Sequence, residues 1–141
     1  MSAAPAVAAA ATFVWLGMVL AISFLEAPLK FHAPGVTLPI GLGIGRLVFR
    51  ALACAEAGLA VAVAIGLAAV PSPAIAPYVV AAVALAVQLL LVRPRLTRRS
   101  DAVLAGGDAP RSRAHHAYIA FELLKVAALC TSGILLLASG S

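Results

Sequence analysis

Long runs without a charged side chain constrain the fold of this chain more than any motif does. No charged residue precedes Glu26, and none lies between Glu56 and Arg93. A membrane-spanning helix needs about 20 apolar residues, so the first run can cross a bilayer once and the second can cross it twice. Only 11% of the residues are charged and 64% are hydrophobic, whereas about a quarter of the residues in soluble domains are charged. A soluble fold is therefore excluded.

Four membrane spans account for the chain. Pro71, Pro73 and Pro77 break the second run into two helices joined by a tight hairpin, because proline inside a helix removes a backbone hydrogen bond. We predict an all-α fold in which residues 1–141 form one domain, an antiparallel bundle of four transmembrane helices. The predicted spans are 7–27, 47–70, 75–92 and 116–137. A cleaved signal peptide is the alternative for the first span, although the basic residues that open such peptides are missing.

Basic residues concentrate in two of the connections between the spans. Residues 28–46 form a connector rich in Pro and Gly with Lys30 and Arg46, and residues 93–115 contain six arginines against two aspartates. Cytoplasmic loops carry an excess of Lys and Arg, so we expect both segments on the cytoplasmic side of a bacterial inner membrane, with both termini outside. These loops also explain the net charge of +5, and no nucleic-acid surface is expected.

The glycines of the first connector, at positions 41, 43 and 45, precede the second span. They fit neither of the common glycine-rich phosphate-binding motifs, and no strand is predicted before them. We interpret them as a flexible or close-packed start of the second helix.

Ionisable residues within the fourth span are the main functional signal. His115, Tyr118, Glu122 and Lys125 follow one another in steps of three and four, which places them on one stripe of a helix. Charged groups at membrane depth are costly and face protein or water rather than lipid. We therefore expect this stripe to face the interior of the bundle, with residues 123, 124 and 126 nearer to lipid.

The depth of the charged residues predicts ion pairs between helices. Glu56 and Lys125 lie nine or ten residues inside their spans, hence ~14 Å deep at the rise of an α-helix. An unpaired charge is unfavourable there, so we predict that Glu56 pairs with Lys125, and that Arg50 pairs with Glu122 or Glu26. The predicted buried polar cluster comprises Glu26, Arg46, Arg50, Glu56, Tyr118, Glu122 and Lys125. Trp15 is interpreted as an interface anchor or a packing residue.

Three histidines suggest a cofactor as an alternative role. His32, His115 and His116 are expected near the same end of the bundle, where they could ligate haem or a transition metal. Adjacent residues point about 100° apart on a helix, so His115 and His116 do not both face one site if the helix includes them. The two cysteines, Cys54 and Cys130, lie at different predicted depths and are expected to be unpaired thiols.

Several functions remain open at this point. The polar cluster can be a structural device that joins helices, or it can bind and pass an ion, a proton or a small molecule. A metal or haem redox protein and an assembly subunit of a membrane complex are further alternatives. No nucleophile motif such as GxSxG is present, so the sequence favours a non-enzymatic role. The expected partners are the lipid bilayer, a small ligand or ion, and a second copy or another membrane subunit.

Short motifs carry a family resemblance. They are Trp15-Leu16-Gly17, Glu26-Ala27-Pro28-Leu29-Lys30-Phe31, Arg46 with Phe49, and His116 with Tyr118. Together with the hydropathy pattern of the whole chain, they resemble the small four-span family of unknown function that includes transmembrane protein 205. The resemblance implies a four-helix membrane fold and no established reaction.

A more distant similarity concerns the first helix. Trp15 followed by Pro28 and Phe31-His32 is similar to the first helix of the four-span haem-binding protoporphyrinogen oxidases and of copper-resistance membrane domains. In those families a histidine at a helix end can serve a haem or metal site. The resemblance therefore implies His32 as a candidate ligand.

Overall fold

The computed structural model describes residues 2–69, 71–106 and 113–139, and most of these residues are helical. The long helices in these ranges are α1 (Ala3–His32), α2 (Leu38–Ala68), α3 (Ile75–Leu104) and α4 (Arg113–Ser139). Each contains an apolar stretch long enough to span a membrane. The predicted all-α bundle of four helices is confirmed, and the chain is a multi-pass membrane protein.

The helices are arranged in the order α2, α1, α4, α3. α1 packs along both α2 and α4, and α3 packs along α4, whereas α2 contacts α3 mainly at Arg93–Leu104. The apolar core lies in the half of the bundle that holds the connection between α2 and α3, which we call the hairpin end. Its largest members are Trp15, Leu16, Val19, Val63, Leu67, Leu85, Leu129 and Leu136.

The outer surface of the bundle is apolar. Large aliphatic side chains point outward from every helix, among them Leu25, Leu47, Leu90 and Ile134. A continuous apolar surface of this kind is unfavourable in water, and it matches the hydrocarbon of a bilayer. The four helices therefore contact lipid with their outer faces.

The connection between α1 and α2 is shorter than the sequence predicts. α1 continues to His32 and α2 already begins at Leu38, so the glycine-rich segment of the predicted connector is helical. The side chain of Thr37 caps α2 by accepting a hydrogen bond from the backbone N–H of Ile40 at 3.4 Å. A Cβ atom at Gly41 would collide with the ring of Phe31. The missing side chain of Gly41 thus makes room for the Phe31 ring.

α3 also extends further than predicted, since Arg93–Leu104 continues it as a helix where a polar loop is expected. This extension is tied to α2: Arg46 Nη1 lies 2.7 Å from Asp101 Oδ1, and Arg93 Nη1 donates to the Phe49 carbonyl at 2.9 Å. Val70, the predicted end of the second span, and residues 107–112 of the predicted basic loop lie outside the described residues. We call this half of the bundle the basic end; its cations include Lys30, Arg46, Arg50, Arg93, Arg95, Arg98 and Arg99.

Two segments within the long helices are π-helical. Leu20–Glu26 lies in α1 and Gln88–Val92 lies in α3. A π-helix bonds residue i to i+5, so it turns by less per residue than the 100° of an α-helix. An unbroken α-helix would point Ser23 about 80° away from Trp15, and the wider turns of α1 reduce this difference. The π segments therefore change which side chains face the interior.

The contact between α1 and α2 can be tested at Gly66. A Cβ atom there would lie 2.8 Å from the Ala4 carbonyl oxygen and 2.8 Å from Ala8 Cβ, whereas a Cβ atom at Gly58 has nothing within 4 Å. We expect Gly66→Ala to destabilise the protein by about 1–3 kcal/mol through overpacking, and Gly58→Ala to have no destabilising effect. Thermal unfolding of the purified protein in detergent measures both. Equal stability of the two variants would contradict this account of the α1–α2 contact.

Candidate functional site

Lys125 lies in the interior of the bundle with 0% of its side chain exposed. Its Nζ atom is 2.5 Å from Glu56 Oε1 on α2 and 2.5 Å from Glu122 Oε1 on α4. The two glutamates are buried as well. The pair between Glu56 and Lys125 is the one that the sequence predicts, and Glu122, one turn away on the same helix, is a second carboxylate partner.

Neutral side chains from α1 and α3 complete the hydrogen bonding of the carboxylates. Trp15 Nε1 donates to Glu56 Oε1 at 2.8 Å, and Gln88 Nε2 donates to Glu122 Oε1 at 2.8 Å. Ser23 Oγ donates to Glu122 Oε2. All four helices therefore contribute to one site. We call it the buried cluster; its members are Trp15, Ser23, Glu56, Gln88, Glu122 and Lys125.

The buried cluster carries an unequal number of opposite charges. Glu56 and Glu122 face a single cation, Lys125, so the cluster has a formal charge of −1 when both carboxyl groups are ionised. The hydrogen bonds from Trp15 and Gln88 stabilise the negative charge without neutralising it. A net charge in a buried site is unfavourable. The cluster therefore favours the uptake of one positive charge.

Gln88 adds an unused acceptor to the same site. Its Nε2 atom donates to the Tyr118 carbonyl at 3.1 Å as well as to Glu122. Both neighbours are acceptors, so the reversed amide orientation would place oxygen against oxygen. Gln88 Oε1 is buried and has no hydrogen-bond partner among the described residues. The unsatisfied polar atom of the cluster is thus an acceptor, which favours a cationic or hydrogen-donating ligand.

Tyr118 connects the buried cluster to the basic end. The Tyr118 side chain interacts with Ser23, and the Tyr118 ring packs edge-on against Phe49, with 5.6 Å between the ring centroids. Lys30 Nζ lies 5.5 Å from the centroid of the Phe49 ring, a cation–π distance. The polar contacts thus continue from Glu122 through Ser23 and Tyr118 towards the end of the bundle where the cations lie.

On the side that faces the hairpin end, the buried cluster is bounded by packed apolar side chains. Leu129, one helical turn beyond Lys125, is fully buried in the apolar core. The hydroxyls of Ser132 and Thr12 lie further towards the hairpin end, and both donate to backbone carbonyls, those of Ala74 and Ala8. They offer no continuation of the polar contacts. The described residues therefore connect the buried cluster to the basic end alone.

Three charged residues of the predicted cluster lie outside the buried cluster, and Tyr118 lies next to it. Glu26 pairs with Lys30 on its own helix at 3.7 Å, and Arg46 pairs with Asp101. Arg50 is exposed and, among the described residues, is paired with neither Glu26 nor Glu122. The physical reason is local. Glu26 and Glu122, the two expected partners of Arg50, each have a lysine one turn away on their own helix. Glu26 is therefore already paired with Lys30, and Glu122 with Lys125.

The histidines do not converge on the buried cluster. His115 and His116 lie at the start of α4 with ring centroids 5.9 Å apart, and His32 ends α1 in an exposed position. Within the described ranges, no group of three His, Cys, Asp or Glu residues could hold a metal ion. A haem or transition-metal role for these histidines stays a prediction. Cys54 and Cys130 are free thiols.

Sequence reasoning overlooked the neutral members of the site. Trp15 is fully buried and binds Glu56, so it is not an interface anchor. Ser23 and Gln88 were not identified as site residues. Gln88 could have been recognised from the sequence, because it is the only side-chain amide in the whole sequence and lies in an apolar run.

Removing Lys125 tests the charge balance of the buried cluster. Lys125→Met leaves two buried carboxylates without a cation, and breaking a buried ion pair in this way costs about 3–5 kcal/mol. The triple variant Glu56→Gln, Glu122→Gln, Lys125→Met has no unpaired charge and is expected to regain most of this loss. Arg50→Met, at an exposed position, serves as the control with little effect. The fraction of protein that remains monodisperse after heating in detergent measures all three, and a triple variant as unstable as Lys125→Met would contradict the charge argument.

Comparisons of the chain with protein-family models, curated proteins and solved structures find no match. The resemblance to the four-span family that includes transmembrane protein 205 stays a hypothesis that rests on the short motifs given above. What the site can do chemically follows from the residues of the buried cluster and from their contacts.

Proposed function

We propose that this chain is a non-enzymatic membrane module that binds a cation at the buried cluster. The observation that carries the proposal is the ratio of two buried carboxylates to one buried ammonium group. A cation that binds there removes the formal charge of −1. A small anion, which the sequence alone leaves open, would add a second negative charge and is disfavoured.

The polar contacts support access to the cluster from one side. They lead from Glu122 through Ser23 and Tyr118 towards the basic end, whereas Leu129 and the apolar core separate the cluster from the hairpin end. Such an arrangement suits a site that loads and unloads a ligand through one face of the membrane. Permeation through the whole bundle would require a second conformation in which the apolar half opens.

The proposal can be tested by measuring charge displacement. The purified chain is reconstituted into vesicles adsorbed on a solid-supported membrane, and concentration jumps of sodium, potassium or protons are applied separately. Binding of a cation within the membrane produces a transient current. We expect a current with at least one of these cations and its loss in Glu122→Gln, because the remaining pair of Glu56 and Lys125 is neutral. The same pair is expected to keep the bundle folded, and a monodisperse elution profile of Glu122→Gln in detergent checks that the loss does not reflect unfolding.

A carboxyl-to-amide change at the surface provides the matched control. Asp101→Asn alters a side chain that is 58% exposed and pairs with Arg46 outside the buried cluster. This variant should keep the transient current of the unmodified protein. The absence of a current with all three cations, or an undiminished current in Glu122→Gln, would overturn the proposed function.

We further propose that the basic end faces the cytoplasm of a bacterial cell and that both termini lie outside. Outside the buried cluster, every charged residue of the sequence lies at 26–50 or 93–113, and the connection near Pro71 has none, which supports this orientation. Alkaline phosphatase fused to the carboxyl terminus should be active, and the same enzyme fused after residue 105 should be inactive. The reverse pattern would contradict the orientation.

A further inference from the structure

We propose that the cation bound at the buried cluster is a proton, which reaches Glu122 through the hydroxyl groups of Tyr118 and Ser23. This inference rests on the proposed function and specifies its ligand. It names two positioning residues, Ser23 and Tyr118, that a site for a metal cation would not require.

The contacts of Ser23 suit a proton relay. Ser23 Oγ donates its proton to Glu122 Oε2, and the Tyr118 side chain is a polar neighbour of Ser23. Because the only proton of the Ser23 hydroxyl is directed at Glu122, the Tyr118 hydroxyl can act only as a donor towards Ser23 Oγ. In the proposed relay the two hydroxyl groups are therefore ordered towards a carboxylate oxygen. The π-helical turn of α1 contains Ser23 and brings it into this chain.

The groups that face Glu122 come from every helix. α4 supplies Lys125 and Tyr118, α2 supplies Glu56, and α3 supplies Gln88. α1 contributes uncharged donors only, and Arg93 of α3 acts electrostatically on Tyr118. The charged groups closest to Glu122 are thus one cation and one further carboxylate. Protonation of Glu122 leaves Lys125 paired with Glu56, and the buried cluster becomes neutral.

The transfer conserves every proton. A hydronium ion at the basic end gives a proton to Tyr118 Oη and leaves as water, while the original Tyr118 proton moves to Ser23 Oγ. The original Ser23 proton moves to Glu122 Oε2, where a new O–H bond forms. Both hydroxyl groups end neutral, and the carboxylate ends as a neutral carboxylic acid. No oxidant, reductant or metal ion takes part in these steps.

The donors around Glu122 favour a proton over a metal cation. Glu122 Oε1 is occupied by Lys125 and Gln88, and Oε2 is occupied by Ser23. A sodium or potassium ion needs several oxygen ligands around it, and these donors would have to leave first. A proton needs one lone pair on Oε2 and a reversal of the bond to Ser23. The unpartnered Gln88 Oε1 remains available to accept a hydrogen bond from the protonated site.

Trp15 provides a readout of the proton in the unlabelled protein. It is the single tryptophan of the sequence and donates to Glu56 in the buried cluster. Loading of a proton changes the charge next to the indole ring and hence its fluorescence. Stopped-flow mixing to lower pH then measures the rate of loading, while the transient current on the solid-supported membrane identifies which cation moves.

The test compares variants that keep or remove each hydroxyl group. Ser23→Ala and Tyr118→Phe break the relay and should slow the fluorescence change at least about tenfold, since positioned proton transfer contributes about 10²–10⁴ to rates. Ser23→Thr keeps a hydroxyl at the same position and should restore much of the rate. Tyr78→Phe is the matched control for the tyrosine change, because the Tyr78 hydroxyl donates to the Ala60 carbonyl at 2.8 Å, away from the buried cluster.

The outcomes separate this inference from the proposed function. A current with protons, none with sodium or potassium, and slow loading in Ser23→Ala would support the relay. A current with sodium or potassium alone would overturn the inference and leave the proposed function standing. Proton currents with unchanged loading rates in both Ser23→Ala and Tyr118→Phe would overturn the relay. The absence of every current would overturn both.

Discussion

The burial of Lys125 between two carboxylates determines much of the structure around it. A single ammonium group cannot be left unpaired at membrane depth, so α2 must present Glu56 and α4 must present Glu122 at the same level. These carboxylates in turn require donors, which α1 supplies through Trp15 and Ser23 and α3 through Gln88. One charged side chain therefore couples the positions of four helices in a solvent that provides no hydrophobic force between them.

The two π-helical segments belong to this same arrangement. Ser23 lies within Leu20–Glu26, and Gln88 is the first residue of Gln88–Val92. Both side chains bind Glu122. A π-helical turn forms i to i+5 backbone hydrogen bonds, which are rarer than those of an α-helix, and such turns often occur at functional sites. In this bundle they allow the two helices that carry no buried charge to direct a neutral donor at the carboxylate of a third helix.

The sequence predicts the framework of this protein and half of its site. Long uncharged runs and prolines are sufficient to predict four spans, and the matching depth of Glu56 and Lys125 is sufficient to predict their pair. The failure of Arg50 to pair with Glu26 or Glu122 was not predictable, because it depends on which helices are neighbours and on a nearer cation for each glutamate. Ser23 and Trp15 were missed for another reason: serine and tryptophan are ordinary in membrane helices, and the π turns shift side chains away from their places on an α-helical wheel.

The separation of the bundle into a polar half and an apolar half has an electrical consequence. A charge moved across a membrane potential of 100 mV changes in free energy by about 2.3 kcal/mol, and a charge that stops partway changes by a fraction of that. The core around Leu129 is apolar, and the hydroxyls of Thr12 and Ser132 beside it are bonded to backbone carbonyls, so we expect most of the potential to fall across this half. Occupancy of the buried cluster by the proposed cation, loaded from the basic end, should then respond to voltage as well as to ligand concentration.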